Sequence, residues 1–126
     1  GDYKMKKHLT IILNFEITSE ELKFIKKQIS GKCRYITPYL IFDDDGKLSG
    51  STGINIVNLN YQMDEKNNTL TITEGVMTLK SGDDLAMEIE AYLLSSLMDV
   101  TGYVEEGTNM ALVGPNGIVL IQLSLE

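Results

Sequence analysis

Apolar residues near the start of the chain fall on alternate positions. Leu9, Ile11, Leu13, Phe15 and Ile17 are interleaved with Thr10, Asn14, Glu16 and Thr18. A period of two predicts a half-buried strand over residues 9–17. Thr18-Ser19-Glu20-Glu21 then reads as a helix start. Leu22, Ile25 and Ile29 line one helical face, although the same stretch fits a strand with Phe24 turned inward. Periodicity favours the helix and leaves the strand open. Residues 35–42 read as a strand interrupted by Pro38, which marks an edge or a bend, and Tyr39, Leu40, Ile41 and Phe42 fit an apolar strand buried on both faces or covered at one end. Asp43-Asp44-Asp45-Gly46 predicts a turn, because aspartates hydrogen-bond their own backbone and glycine reaches positive φ easily. Residues 47–51 return as the second strand of a hairpin.

Gly50 and Gly53 punctuate the next segment. Glycine inside a strand pattern signals a bulge, a bend or a second backbone passing close. Strands follow over residues 54–61 and 69–74, the latter extending past Gly75 toward Leu79, with a polar turn over 64–68. Ser81-Gly82-Asp83-Asp84 places caps and negative charge at a helix N-terminus. Leu85, Ile89, Tyr92, Leu93, Ser96, Leu97 and Val100 form one broad apolar face, with Glu88 and Glu90 off it and Gly102 as the expected cap. So wide an arc calls for cover on more than one side. Three more strands follow, over 103–105, 110–113 and 118–125, the last two joined by the turn Gly114-Pro115-Asn116-Gly117. The sum is about eight short strands at hairpin spacing and one main α-helix near residues 83–101. This is an α+β chain whose antiparallel sheet wraps the helix.

Composition narrows the picture. The chain has 126 residues, 43% hydrophobic and 23% charged, enough for one domain with a core. A net charge of −7 argues against a nucleic-acid partner. The cations concentrate early (Lys4, Lys6, Lys7, Lys23, Lys26, Lys27, Lys32, Arg34), and the remainder is acidic. Two solvated faces account for this; a basic edge that meets a partner or an anionic membrane is the sharper reading. No run of 18 apolar residues exists, so no transmembrane segment is expected. The chain opens Gly-Asp rather than Met, and Leu9–Leu13 is too short for an intact signal.

Candidate chemistry is sparse. Cys33, the single cysteine, sits between Lys32 and Arg34, which would lower its thiol pKa. The single histidine, His8, is its one conceivable base. One histidine also argues against a zinc site. The Asp43–Gly46 run resembles a calcium loop, but Thr52 stands where the closing glutamate belongs. Gly46, Gly50 and Gly53 lack phosphate-loop spacing. Asn67-Asn68-Thr69 is a glycosylation sequon. Glu105-Glu106 are adjacent and so point apart in a strand. Tyr35, Tyr39, Tyr61 and Tyr103 would line a pocket if they converged; otherwise they are core and rim. No catalytic, cofactor-binding or metal-ligating residue is assigned.

The order of these features resembles the META/HslJ domain family of bacterial HslJ-type stress proteins and trypanosomatid META proteins. The resemblance covers residues 22–125. It rests on Ile29-Ser30-Gly31-Lys32, on Pro38 before an aromatic-containing strand, and on Gly50, Gly53, Ile54, Asn55 and Tyr61. Met77, the helix residues Glu90, Leu93 and Leu94, and Tyr103, Leu112 and Gly117 complete it. It implies a strand over residues 23–29 and a curved antiparallel half-barrel around one helix. Residues 1–21 would then be an N-terminal extension carrying an extra edge strand, and residues 22–126 the domain. Two family cysteines correspond to Ile54 and Leu79, an apolar pair that would keep the contact without the bond. A family glycine corresponds to Leu59, which questions a bulge there.

The resemblance implies a non-catalytic domain, associated with stress or the cell envelope, that binds a protein partner or a hydrophobic small molecule or lipid. The lipid reading draws on a likeness to lipid-binding secretion pilots. It needs an apolar cavity between helix and sheet, and a filled core counts against it. A small hydrolase using Cys33 or carboxylates is the alternative. No cofactor is implied. Export to the envelope after loss of an upstream signal is expected, with a cytoplasmic location as the alternative.

Overall fold

Alternation along the chain becomes sheet. A computed structural model of the protein describes residues 7–12 and 38–125, and of the first stretch it describes the backbone and the Leu9 side chain. The strand segments are β1 (Lys7–Ile12), β2 (Tyr39–Phe42), β3 (Lys47–Ser51), β4 (Ile56–Asp64), β5 (Thr69–Met77), β6 (Gly102–Glu106), β7 (Asn109–Val113) and β8 (Val119–Leu125). The helix α1 (Asp84–Asp99) connects β5 to β6. Residues 13–37 lie outside the described residues, and with them the helix-or-strand alternative at 22–29, Tyr35 and Cys33.

Each strand pairs antiparallel with the next, and β1 also pairs with β8. The ladders are not equal. Six of them join consecutive strands along several residues each, and β1 and β8 share four register pairs. Between β5 and β6 there is a single register pair, Thr69↔Gly102. Bonds from Leu70 N–H to the Thr101 carbonyl (3.1 Å) and from Tyr103 N–H to the Asn68 carbonyl (3.2 Å) support that seam. The result is a strongly curved antiparallel sheet, almost parted along one line. The helix packs against β5 and β8. The α+β architecture expected from the sequence, a curved sheet around one helix, is the one that forms.

Alternation decides which side chains fill the interior. Leu48, Val57, Leu70, Ile72, Leu112, Ile121 and Leu123 come from the sheet, and Ile89, Leu93 and Leu97 from the helix, into one cluster. Two glycines permit the curvature. A Cβ on Gly50 would lie 2.2 Å from the Tyr39 carbonyl oxygen of β2. A Cβ on Gly75 would lie 2.0 Å from the Asn58 carbonyl oxygen of β4. Glycine is required where two backbones pass this closely. Gly75 also marks a bulge: the β4–β5 register shifts between Asn58 and Asn60, so that Glu74 and Gly75 together oppose Leu59. The bulge exists although Leu59 is not glycine, because the extra residue is on the neighbouring strand.

Several expectations need correction. β1 is not an edge strand, since it lies between β2 and β8. Gly102 is not the helix cap. The helix stops at Asp99, Val100 takes an extended conformation and bonds back to the Leu97 carbonyl, and Gly102 begins β6. The N-terminus follows the sequence reading: the Asp83 carboxylate accepts from the Ala86 N–H at 2.9 Å. β4 begins at Ile56, because residues 52–55 are held in a tight loop. β5 ends at Met77, short of Leu79.

Candidate functional site

The loop before β4 carries the densest polar arrangement in the described residues. Thr52 N–H donates to the Asn55 carbonyl at 2.9 Å, and Asn55 N–H donates to Thr52 Oγ1 at 3.0 Å. Gly53 N–H donates to Ser51 Oγ at 3.0 Å. These short-range bonds make a self-contained turn that aims Thr52 and Asn55 toward the helix. There, Thr52 Oγ1 donates to Glu90 Oε2 at 2.5 Å, and Asn55 Nδ2 donates to the same oxygen at 2.7 Å.

Asn55 also reaches the segment after β5. Its Nδ2 donates to the Lys80 carbonyl at 3.0 Å, while its Oδ1 accepts from Thr78 Oγ1 at 2.8 Å and from Lys80 N–H at 2.6 Å. Thr78 Oγ1 in turn accepts from Ile56 N–H at 3.0 Å. Both donors and both acceptor positions of the amide are used. Asn55 and Thr52 are 2% and 4% exposed, and Glu90 8%. Two loops and the middle of the helix are thus clamped by buried hydrogen bonds.

This geometry ties two loops to the helix: Glu90 Oε2 accepts two short bonds, and every donor and acceptor position of the Asn55 amide is used. The same clamp answers the question of the two family cysteine positions. Leu79 is 90% exposed, so Ile54 and Leu79 do not keep an apolar contact. The side chain of Asn55, next to Ile54, joins the segments instead by bonding the residues on either side of Leu79.

Glu90 was expected off the buried helix face, and that expectation is wrong. It lies four residues after Ala86, three before Leu93 and seven before Leu97, all of them buried. That spacing places it on the inner line of the helix, and this was the signal available in the sequence. Its polarity concealed it.

A second polar neighbourhood lies at the other end of the β3–β4 hairpin. Gly46 has φ of +82°, Asp45 Oδ1 accepts from Lys47 N–H at 3.2 Å, and Tyr61 N–H donates to the Gly46 carbonyl at 2.9 Å. The Tyr61 hydroxyl donates to the Asp43 carbonyl. Its ring meets Phe42 edge-on, 5.1 Å between centroids. Burial pushes the Tyr61 pKa above its ordinary 10.0, helped by the charges of Asp43, Asp45 and Asp44. The acidic run is therefore a built turn, as the sequence indicated.

The remaining candidates do not converge. Tyr103 is buried, and burial followed by the charges of Glu105, Glu65 and Asp64 raises its pKa. Tyr39 lies in β2, in register with Thr10 of β1 and Ser51 of β3. His8 sits in β1 paired with Ile41, and Cys33 lies outside the described residues. Asn67 occupies an exposed turn, its amide donating to Asp64 Oδ2 at 2.8 Å. Glu105 and Glu106 pair with Met110 and Asn109, on alternate faces of the sheet. Surface depressions of about 200 and 30 Å³ lie on β6–β8 rather than between helix and sheet. Both fall below the size of ordinary small-molecule sites. Among the described residues no helix is long and apolar enough to cross a membrane.

The comparisons agree with this architecture. A DUF4847 family protein from Bacteroides vulgatus ATCC 8482 superposes with a TM-score of 0.60, over 94% of this chain and 91% of that one, at 14% identity. At that identity the likeness concerns the fold alone. No curated protein matches the chain. The META domain family model matches residues 17–125, a span that takes in the glycine-spaced segment, the clamp and the helix, and the chain belongs to the META domain family.

Proposed function

We propose that this domain is a non-catalytic interaction module that works through its outer surface. The observation that carries the reading is the clamp. Its buried polar side chains bind one another and hold two loops to the helix, so the densest polar arrangement among the described residues is spent on structure. The interior supports the same reading. Leu93 and Leu97 of the helix pack into one buried cluster with Leu48, Leu70, Leu112 and Leu123 of the sheet, which supports direct helix-to-sheet packing over a ligand held between them. A protein partner is therefore preferred over a carried lipid. Stress association and placement in the cell envelope remain part of the proposal, and fractionation of the native host tests the location.

Native mass spectrometry of the purified protein, followed by denaturation and lipid extraction, tests the reading. The expected result is the mass of the chain alone. A co-purified hydrophobic molecule would replace the interaction module with a carrier. Activity in a broad hydrolase screen that Cys33→Ser abolishes would replace it with an enzyme.

A further inference from the structure

Of the chain's asparagines, only Asn116 is followed by glycine. It sits in the turn between β7 and β8, directly after Pro115, with φ of 63° and ψ of 21°. A left-handed residue after proline is the signature of a type II turn, and asparagine tolerates that conformation better than most side chains. The turn is held loosely. Gly117 N–H donates to the Gly114 carbonyl at 3.2 Å and Ile118 N–H to the Pro115 carbonyl at 3.5 Å, both at or beyond the long end of the usual range. Residues 115–119 are all exposed. A Cβ placed on Gly117 would meet no atom within 4 Å, so the space beside the Asn116–Gly117 peptide is open. Among the described residues none hydrogen-bonds the Asn116 carboxamide.

The other described asparagines lack this combination. Asn68 is also left-handed, at φ 53°, and exposed. Its successor, however, is the β-branched Thr69, which begins β5 in register with Asp64. The Asn67 amide is held by Asp64, the Asn60 amide by Lys47 and Glu74, and the Asn55 amide by the clamp. Asn58 and Asn109 lie in paired strands.

We propose that Asn116 is a site of spontaneous modification, deamidating in the folded protein without an enzyme. The backbone nitrogen of Gly117 attacks Cγ of Asn116. The new N–Cγ bond closes a succinimide ring, the Cγ–Nδ2 bond breaks, and ammonia leaves with the proton shed by the Gly117 nitrogen. Water then opens the ring at Cγ to give aspartate, or at the main-chain carbonyl to give isoaspartate. Glycine as the successor favours the step, because a side chain there would crowd the closing ring.

The product bears on the helix. Gly114 packs against the end of α1, where a Cβ on it would lie 3.4 Å from the Asp99 carbonyl oxygen. A new carboxylate in this turn has the same sign as Asp99 and as the helix terminus, whose last turn has no basic residue. Isoaspartate also lengthens the main chain where the β7–β8 ladder ends at Val113↔Val119.

Incubation of the whole protein at mildly alkaline pH, followed by peptide mass spectrometry, tests this. The expected result is a gain of one mass unit at Asn116, with Asn68 unchanged. It should quicken as pH rises, since the attacking nitrogen must lose its proton. It should be slower than in a free peptide of the same turn, since the bond to Gly114 must open first. Asn116→Gly suits the left-handed position and should remove the gain. Urea below the unfolding transition should leave the rate unchanged. The deamidated fraction, separated by anion exchange, should melt about 3 °C below the unmodified protein. No gain at Asn116 while the peptide converts fully overturns the proposal, as does a gain of equal speed at Asn68. A rate that climbs with the unfolded fraction in urea assigns the reaction to the unfolded chain and overturns it too. An unchanged Tm overturns the consequence for the helix.

Discussion

The β3–β4 hairpin carries a polar cluster at each end, and the two are built on opposite principles. At one end Thr52, Asn55 and Glu90 are buried, and Glu90 Oε2 accepts from both of the others. At the other end Asp44 and Asp45 are exposed and Asp43 and Tyr61 half-buried, so water shares part of the work. A hydrogen bond exchanged for one to water contributes little, while a buried group that loses its partner keeps the whole cost of its desolvation. The clamp should therefore be fragile to substitution and the turn tolerant, although both look equally polar in sequence.

The largest effect is expected at Asn55. Asn55→Ala removes four side-chain hydrogen bonds and leaves the Lys80 N–H and Glu90 Oε2 short of partners. We expect a loss of about 3 kcal/mol, at the upper range for a single substitution. Urea unfolding checks it, read as a lower midpoint at unchanged slope. A loss under about 1 kcal/mol would mean that water replaces the amide and that the clamp is no different in kind from the turn.

Glu90→Gln comes next. The amide keeps an acceptor for Thr52 and Asn55 but brings two donors into a site built of donors. We expect about 1–2 kcal/mol. Because Glu90 and Asn55 share a bond, the double variant with Asn55→Ala should cost clearly less than the sum, by about 1 kcal/mol or more. Strict additivity in that cycle would show that the bond between them carries no stability.

How far the sequence reveals these regions depends on what physics each residue reports. Leu70, Ile72, Leu93 and Leu97 announce the core because burial of apolar side chains follows the period of strand and helix. The turn is legible too, since Asp43-Asp44-Asp45-Gly46 fixes its geometry locally. The clamp is not. Asn55 and Glu90 are 35 residues apart, and nothing local states that Asn55 will cross-link two loops or that a glutamate will lie among leucines. Family resemblance placed both in a pattern without giving their role. The β4–β5 bulge was hidden for a related reason: it belongs to the pairing of two strands, and Gly75 shows only half of it. The sheet's thin seam at Thr69↔Gly102 likewise arises from the meeting of segments separated by the whole helix.

At the surface end, Tyr61→Phe should cost about 1 kcal/mol near neutral pH, one exchangeable hydrogen bond. Its more telling signature is in alkali. The raised pKa means that the folded state holds the phenolic proton more tightly than the unfolded state does. The contribution is thus fully present below the ordinary tyrosine value of 10.0 and is lost as pH rises through the higher folded value. Urea midpoints measured from neutral into the alkaline range should fall more steeply for the wild type than for Tyr61→Phe. Parallel curves would remove Tyr61 as the source.

Lys47→Ala should be the smallest change, and it sets the floor of the comparison. Lys47 Nζ donates to Asn60 Oδ1 at 2.8 Å on an exposed face. Asn60 keeps a second bond, from its Nδ2 to the Glu74 carbonyl at 3.3 Å, so the loss of the lysine does not release it. Water takes the vacated acceptor position without penalty, and the long lysine side chain regains its rotamer freedom. The expected change is within about 0.5 kcal/mol, readable as an unfolding midpoint indistinguishable from wild type. A loss as large as that of Glu90→Gln would mean that the hairpin's exposed bonds are as essential as its buried ones, and the contrast between its two ends would fail.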